Sequence, residues 1–579
     1  MTSDSITPTP RTHVIVGGVA GGMSAATRLR RLDEHARIMV IERSGYVSFA
    51  NCGLPYHVGG VIEKRSALLL QTPTSLAARF GLEVRVGTHA LSINTGQRTV
   101  TVQDLTSRTT EEIGYDTLIL SPGARPVRPP IPGIERALAL RDVEDTDAMV
   151  AALRVTADPE TRGFDDEVHE AATAVVIGGG FIGVELAENL SYRGLQVAMV
   201  EATDQVMAPL DPEMVEPVHQ ALRRAGVDVR LRARVSAVGP DTVVLADGST
   251  LPAQVVVAAV GVRPDTELAQ QAGLRIGPSG GIAVDENFRT SDPHVYAVGD
   301  AVEKVDSLDH HLVLVPLANT ANLQGRRVAD VIAGLGGRDR PVRGTAIVGV
   351  MGLQVAATGW NEKRLRAAGR AYRAIHTHPS SHATYYPGAD AMTLKLLVDP
   401  ETDAILGAQG VGRSGVDKRI DIIATAMTGG LTASSLADLE LAYAPQFGSA
   451  KDPVNMLGHI ADNLRTGVSR LIQWHEVTQA RADGARLIDV RTTAEFARGS
   501  IPGATNIPVD ELRTRLSELP DLSTPLVVNC AVGLRGHTAA RILVQHGWTD
   551  VRNLSGGYTT WRSGTQAGDS AEPQPSSRG

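Results

Sequence analysis

The stretch His13–Leu32, HVIVGGVAGGMSAATRLRRL, runs from an apolar strand through a glycine-rich turn into a helix. The next apolar strand, ARIMVIE at 36–42, ends at Glu42, twenty residues past Gly22. Strand, tight turn, helix and second strand make a βαβ unit. Its helix N-terminus presents unpaired N–H groups to an anion, and an acid closing the second strand accepts hydrogen bonds from a ribose. The pattern returns over Ala172–Glu201, ATAVVIGGGFIGVELAENLSYRGLQVAMVE. Two such units predict two nucleotides on one chain.

The turns are not identical. In the first, Gly17, Gly18, Gly21 and Gly22 surround Val19, which takes the middle glycine position of G-x-G-x-x-G, where a Cβ crowds the pyrophosphate. The second keeps all three glycines, Gly178, Gly180 and Gly183. Glu201 would accept from a ribose 2′-hydroxyl and repel a 2′-phosphate, which favours NADH and leaves NADPH as the alternative.

A length of 579 residues is too great for one core and predicts three or four domains. With 56 basic and 64 acidic residues the chain is mildly negative, so a nucleic-acid partner is not expected. No apolar run is long enough to span a bilayer, and MTSDSITPTPRTH lacks a signal-peptide core. Two cysteines exclude a disulfide framework and predict a reducing, cytoplasmic setting. Residues 156–171 read as a polar surface insertion, and SGTQAGDSAEPQPSSRG at the C-terminus as disordered.

Both cysteines sit in informative places. Cys52 lies in SFANCGLPY (48–56) without a neighbouring thiol. A thiol that accepts electrons from a flavin must then be oxidised by something else: a small thiol, a persulfide sulfur, or oxygen as a sulfenic acid. A helix opening at GLPYHVGG would lower its pKa. Cys530 ends the apolar strand LVVN, and the helix HTAARILVQHG follows a short turn. Backbone N–H groups at such a corner stabilise thiolate or persulfide.

TSDPHVYAVGDAVE (290–303) brings in a resemblance to the FAD-dependent pyridine-nucleotide disulfide reductases, covering residues 12–460. It implies that Gly17, Gly18, Val19, Gly22, Glu42 and Arg43 hold FAD, with Asp300 on its ribityl chain. The second turn and Glu201 then hold the nicotinamide nucleotide, and Glu185 lies near nicotinamide and flavin. TLILSPGARP and VVVAAVGVRPDT resemble the family's two crossovers, with Gly123 and Gly261 at their turns. SFANCGLPY is similar to the single-cysteine subgroup typified by coenzyme A-disulfide reductase, in which the cysteine rests as a mixed disulfide with coenzyme A. That likeness implies coenzyme A contacts at Ser24, Arg28, Arg31, Ser48, Asn51 and Lys451. SHATYYPGADA (381–391) and LELAYAPQFGSAKDPVNMLGHIADN (439–463) resemble its dimerisation domain, which implies a homodimer. Tyr385 and Tyr443 would then serve the partner's cysteine as proton donors. Residues 470–561 resemble a single-domain rhodanese, with Cys530 carrying sulfane sulfur and Arg535 closing a Cys-x4-Arg loop.

The expected fold class is α/β. A disordered arm (1–10) precedes a discontinuous FAD domain (11–135 and 255–335) that encloses an NAD domain (136–254). An α+β dimerisation domain (340–463), a rhodanese domain (468–563) and a disordered tail (564–579) follow. The expected activity is an NAD(P)H-dependent coenzyme A-disulfide, persulfide or polysulfide reductase working through Cys52, without a metal. An NADH oxidase or peroxidase using a Cys52 sulfenic acid, and a flavoprotein redox sensor with little turnover, are the alternatives.

Overall fold

The structure, a computed structural model, describes residues 10–157 and 172–569. Residues 1–9 of the expected arm, most of the expected insertion and the tail from 570 onward lie outside the described residues. The chain forms two compact units, Met1–Val200 with Arg234–Gly344, and Glu201–Ala233 with Thr345–Gly579.

In the first unit β1 (Thr12–Val16), α1 (Ala20–Leu32) and β2 (Arg37–Ile41) make the expected βαβ unit, with β1 and β2 parallel. A one-turn helix, Asn51–Gly53, runs into α2 (Leu54–Val58). β3 (Glu83–Arg85) and β4 (Thr117–Leu120) widen the sheet on either side. The second nucleotide fold has β5 (Thr173–Ile177), α3 (Phe181–Tyr192), β6 (Gln196–Val200) and β7 (Val255–Ala258), with β5 parallel to both β6 and β7. β8 (Val295–Ala297) returns to the first sheet, giving the order β8–β4–β1–β2–β3, and α4 (Ala318–Ile332) packs on α1. Successive residues of β1 feed opposite cores. Val14 and Val16 join Met39 and Ile41, while Ile15 joins Ile38 and Val40. A parallel sheet covered on both faces needs such unbroken apolar strands.

In the second unit β9 (Ala346–Val350), β10 (Leu353–Gly359), β11 (Arg373–Thr377), β12 (Met392–Val398) and β13 (Ile405–Gly412) form an antiparallel sheet in the order β9–β10–β13–β12–β11. Helices α5 (Val416–Thr428) and α6 (Pro453–Arg465) share its core through Ile420, Ile423, Val454 and Leu457. The C-terminal module has β14 (Leu471–Ile472), β15 (Arg486–Asp489), β16 (Thr505–Asn506), β17 (Leu526–Asn529), α7 (Leu534–Gln545), β18 (Val551–Leu554) and α8 (Gly557–Asp569). Its sheet is parallel, in the order β14–β18–β17–β15–β16.

Three expected boundaries move. VVVA at 255–258 is β7 of the NAD fold rather than the start of the returning FAD segment, because it pairs with β5. The crossover comes only at Val262–Pro264, paired antiparallel with Ala124–Pro126. Glu201–Ala233, expected inside the NAD domain, groups with the second unit, where the helix Pro212–Arg224 packs on α8. The tail is helical through Asp569: α8 lies so close to Trp474 that a Cβ on Gly564 would overlap the indole, and this contact orders a segment whose composition reads as disordered.

Candidate active site

The two turns repeat one backbone solution. Gly17 and Gly178 have φ of +105° and +106°, and a Cβ on either would strike a facing carbonyl, that of Ser121 or Ala259. A Cβ on Gly22 or Gly183 would lie 1.9 or 2.0 Å from the carbonyl oxygen of the glycine five residues earlier, so each helix closes flush on its strand. At the middle position a Cβ on Gly180 would meet nothing within 4 Å among the described residues, which is the room a phosphate needs. The crowding expected from Val19 is relieved by packing: its side chain turns into a cluster with Phe49, Leu54, Leu68 and Val143. This valine ties the first turn to the Cys52 segment.

Glu42 accepts from the backbone N–H of Gly18 (2.7 Å) and of Ser44 (2.9 Å), and Arg43 beside it is exposed. Burial pushes the Glu42 carboxyl up against these two hydrogen bonds. Gly123 and Gly261, both at positive φ, anchor the paired crossovers through their carbonyls, which accept from Asp265 and Val127. Asp300 bears most directly on a flavin. Its Oδ1 is buried without a hydrogen-bond partner among the described residues, and burial pushes its pKa up, with Lys304 opposing. A buried orphan acceptor beside a glycine turn suits a polyhydroxyl chain, so these residues fit FAD. Glu201 follows β6 directly, and its Oε1 accepts from the Thr203 N–H and hydroxyl, both at 2.8 Å.

Cys52 is exposed in the turn before α2. The expected helix does form, but the thiol is pushed up rather than down, by partial desolvation of its sulfur first and then by Glu185 and Asp300. A five-residue helix gives little dipole, and two carboxylates oppose it. Both acids are themselves raised by burial, so proton uptake by either relieves the repulsion on a thiolate. Glu185, near the start of α3, accepts from the Tyr56 hydroxyl at 3.0 Å. Tyr56 thereby links the cysteine's helix to that of the second nucleotide turn. Sequence reasoning passed over it although it closes the quoted motif.

Of the expected coenzyme A contacts in this unit, Ser24 donates to Asn322 (2.6 Å) and Ser48 adopts a φ of +50° with its N–H on Gly18. Arg31 and Asn51 are exposed. At Arg28, α4 places Asp330 2.7 Å from the guanidinium and balances its charge. In the second unit Tyr385 and Tyr443 share a hydroxyl–hydroxyl hydrogen bond of 2.7 Å while 75% and 48% exposed. The bond raises the pKa of Tyr443. The Ala383 N–H reaches the Pro445 and Gly448 carbonyls, which joins the two tyrosine-bearing stretches, and Phe447 and Lys451 are exposed in the second of them.

Cys530 directly follows β17 and is fully buried. The Gly533 N–H points at its Sγ (3.1 Å), and Gly533 at φ +102° turns the chain into α7. Arg535 is held by both oxygens of Glu495, at 2.8 and 2.7 Å. The pair holds Glu495 down at about 2 and pushes the guanidinium up. Glu495, missed from sequence, was legible only as the end of a T-x-x-E capping box. Also missed was a buried cluster in which the Lys395 ammonium sits between Asp211 (2.8 Å), Glu362 (2.6 Å) and Glu213. Those three carboxylates have the spacing of a cation site, and the lysine occupies its centre.

Against known proteins, the pyridine nucleotide-disulphide oxidoreductase family matches residues 11–325, its dimerisation domain 345–453, and the rhodanese-like domain 473–564. The coenzyme A disulfide reductase of Staphylococcus aureus strain JH9 is 32% identical over 454 residues, which is 77% of this chain and 99% of that protein. Among solved structures, reduced Bacillus anthracis CoADR-RHD is 44% identical with a TM-score of 0.92, over 96% of this chain and 98% of that one. A NAD-dependent persulfide reductase from A. fulgidus is 37% identical with a TM-score of 0.86, over 95% and 100%.

Proposed function

Because the chain belongs to the pyridine nucleotide-disulphide oxidoreductase family and carries a rhodanese-like domain, we propose that it is an NADH-dependent, FAD-containing reductase of coenzyme A-linked disulfide and persulfide sulfur. The observation that carries this reading is the lone Cys52, set between the two nucleotide folds beside Glu185 and Asp300, with no second thiol in its motif. The likeness to a coenzyme A disulfide reductase and to a NAD-dependent persulfide reductase supports the substrate class. The attached module favours persulfide or polysulfide over simple coenzyme A disulfide as the physiological substrate.

When bound, the flavin supplies a two-electron relay between nicotinamide and sulfur. The chain supplies the rest. Glu42 and Glu201 orient the two riboses, the glycine turns take the pyrophosphates, and Asp300 accepts from the ribityl chain. Glu185, kept up in pKa and fixed by Tyr56, exchanges a proton near Cys52. The Cys52 thiolate attacks the S–S bond of the substrate, forming a mixed disulfide or persulfide and releasing a thiolate. The Tyr385–Tyr443 pair, offered by a second copy of the chain in a homodimer, protonates that leaving group. Arg31, Ser48, Asn51 and the partner copy's Lys451 hold the coenzyme A phosphates and pantetheine. Ser24 and Arg28, turned toward α4, serve the same ligand at its edge. In the module, the Cys530 thiolate bonds to the outer sulfur of a sulfane donor as the donor's S–S bond breaks, and the rest of the donor leaves with that electron pair. The setting is the cytoplasm, where NADH and reduced thiols coexist.

Mass spectrometry of the purified protein tests this directly. A coenzyme A adduct on Cys52, and loss of NADH-dependent disulfide and persulfide reduction but not of flavin reduction in Cys52→Ser, are expected. Full turnover of NADH with oxygen alone would replace this reading with an oxidase.

A further inference from the structure

Two histidines outside the reductase chemistry, His376 buried on β11 and His378 half-buried just past its end, reach into the C-terminal module. The His376 backbone N–H donates to the Ser555 hydroxyl (3.1 Å), and its Nδ1 lies 2.9 Å from the same oxygen. Its Nε2 lies 2.9 Å from Glu213 of the Lys395 cluster. Two residues on, His378 Nε2 lies 2.8 Å from the Thr560 hydroxyl and Nδ1 lies 3.0 Å from Thr393. Burial, with His376 adding to it, pushes His378 down to about 3, so it stays a neutral hydrogen-bonding group.

The segment they grip, Ser555–Thr560, backs the sulfur loop. The Tyr558 N–H donates to the Cys530 carbonyl (2.8 Å) and the Thr559 N–H to the Ala531 carbonyl (3.0 Å). Gly556 and Gly557 both have positive φ, at +67° and +64°. A Cβ on Gly556 would meet His376 Cβ at 2.8 Å, and one on Gly557 would overlap the Cys530 carbonyl. The histidines press on one side of a two-glycine turn and Cys530 lies against the other.

We propose that His376 and His378 are positioning residues for the Cys530 sulfur site, so that β11 of the dimerisation domain fixes the loop that holds the sulfane sulfur. The inference rests on the sulfur-carrier reading of Cys530. In the reaction used to test it, the Cys530 thiolate bonds to the outer sulfur of thiosulfate and sulfite leaves with the S–S electron pair. Cyanide then takes that sulfur as thiocyanate, restoring the thiolate.

The contacts are best cut on the module's side, which leaves the Glu213–Lys395 cluster intact. In the full-length holoenzyme, Ser555→Ala combined with Thr560→Val should lower kcat for thiosulfate:cyanide transfer by about 10- to 100-fold, the effect of an ångström-scale misplacement. KM for thiosulfate should change less than twofold, as expected when the loop is displaced but the donor's contacts remain. NADH-dependent reduction of coenzyme A disulfide should match wild type, which certifies the fold. Amide exchange at Tyr558 and Thr559 should speed up, and Thr560→Ser, which keeps the hydroxyl that Thr560→Val removes, should retain kcat. Wild-type kcat and exchange in the double variant would overturn the inference alone. A wild-type protein that forms neither thiocyanate nor a Cys530 persulfide would overturn the sulfur-carrier reading and this inference with it.

Discussion

Replacing Lys395 by methionine removes the one cation at the centre of the buried cluster while keeping most of the stem's volume. The ammonium has no exposure and lies 2.8 Å from Asp211 and 2.6 Å from Glu362, with Glu213 also in contact. Breaking a buried charge set by removing one partner costs about 3–5 kcal/mol, because the remaining charges stay desolvated and uncompensated. All four tryptophans, at 360, 474, 548 and 561, lie in the second unit, so their fluorescence reports its unfolding selectively. With a urea dependence of about 3 kcal/mol/M, the midpoint should fall by roughly 1–2 M at pH 7. The pH dependence identifies the cause. In the wild type burial pushes Glu213 and Glu362 up, but Lys395 prevails and holds both below the ordinary 4.5. A depressed carboxylate adds stability above its unfolded value and loses it as pH falls through the folded value. Without Lys395, burial is opposed only by His376 at Glu213 and by Arg366 at Glu362, so the carboxyls move up and the variant gains stability on acidification from pH 7 toward 5. The gap between the proteins should narrow over that range. An unchanged midpoint at pH 7, or a gap that widens with acid, refutes the reasoning.

Tyr385→Phe with Tyr443→Phe should slow substrate reduction by about 10²-fold or more, with flavin reduction by NADH unchanged in stopped flow; each single change should do less, since the hydroxyls are hydrogen-bonded to each other. Wild-type turnover in the double variant would remove the pair from the mechanism. The wild type should show a higher kcat/KM with NADH than with NADPH, and Glu201→Gln should narrow the difference by about tenfold, equivalent to ~1.4 kcal/mol of charge repulsion. Preference for NADPH in the wild type would overturn this role. Because Glu495 stays ionised down to about 2, its grip on Arg535 persists above the ordinary carboxylate range, so KM for thiosulfate should be flat between pH 5 and 8. Glu495→Gln should raise that KM several-fold without affecting NADH oxidation, and an unchanged KM would assign Glu495 to helix capping alone.

What the sequence determined by itself is local. The spacing of Gly17 to Gly22 and of Gly178 to Gly183 is dictated by backbone sterics within a few residues, so two nucleotide folds were legible from one chain. The acids Glu42 and Glu201 follow at the ends of the next strands for the same reason. The strand-to-helix corner at Cys530 is likewise local, and its Gly533 N–H does face the sulfur. The lone Cys52 could be found from its motif, but not its pKa, because the acids that raise it come from 133 and 248 residues away in sequence, at Glu185 and Asp300. Val19 read as a defect until the fold supplied a cluster for its side chain. The pairing of Tyr385 with Tyr443, the salt bridge that balances Arg28, and the line from Lys395 through Glu213 and His376 to Ser555 all join distant segments. Hydrophobic periodicity carries no information about which buried polar groups will meet. Only tertiary packing decides it, since each such group must find its partner where the chain's layers happen to bring one.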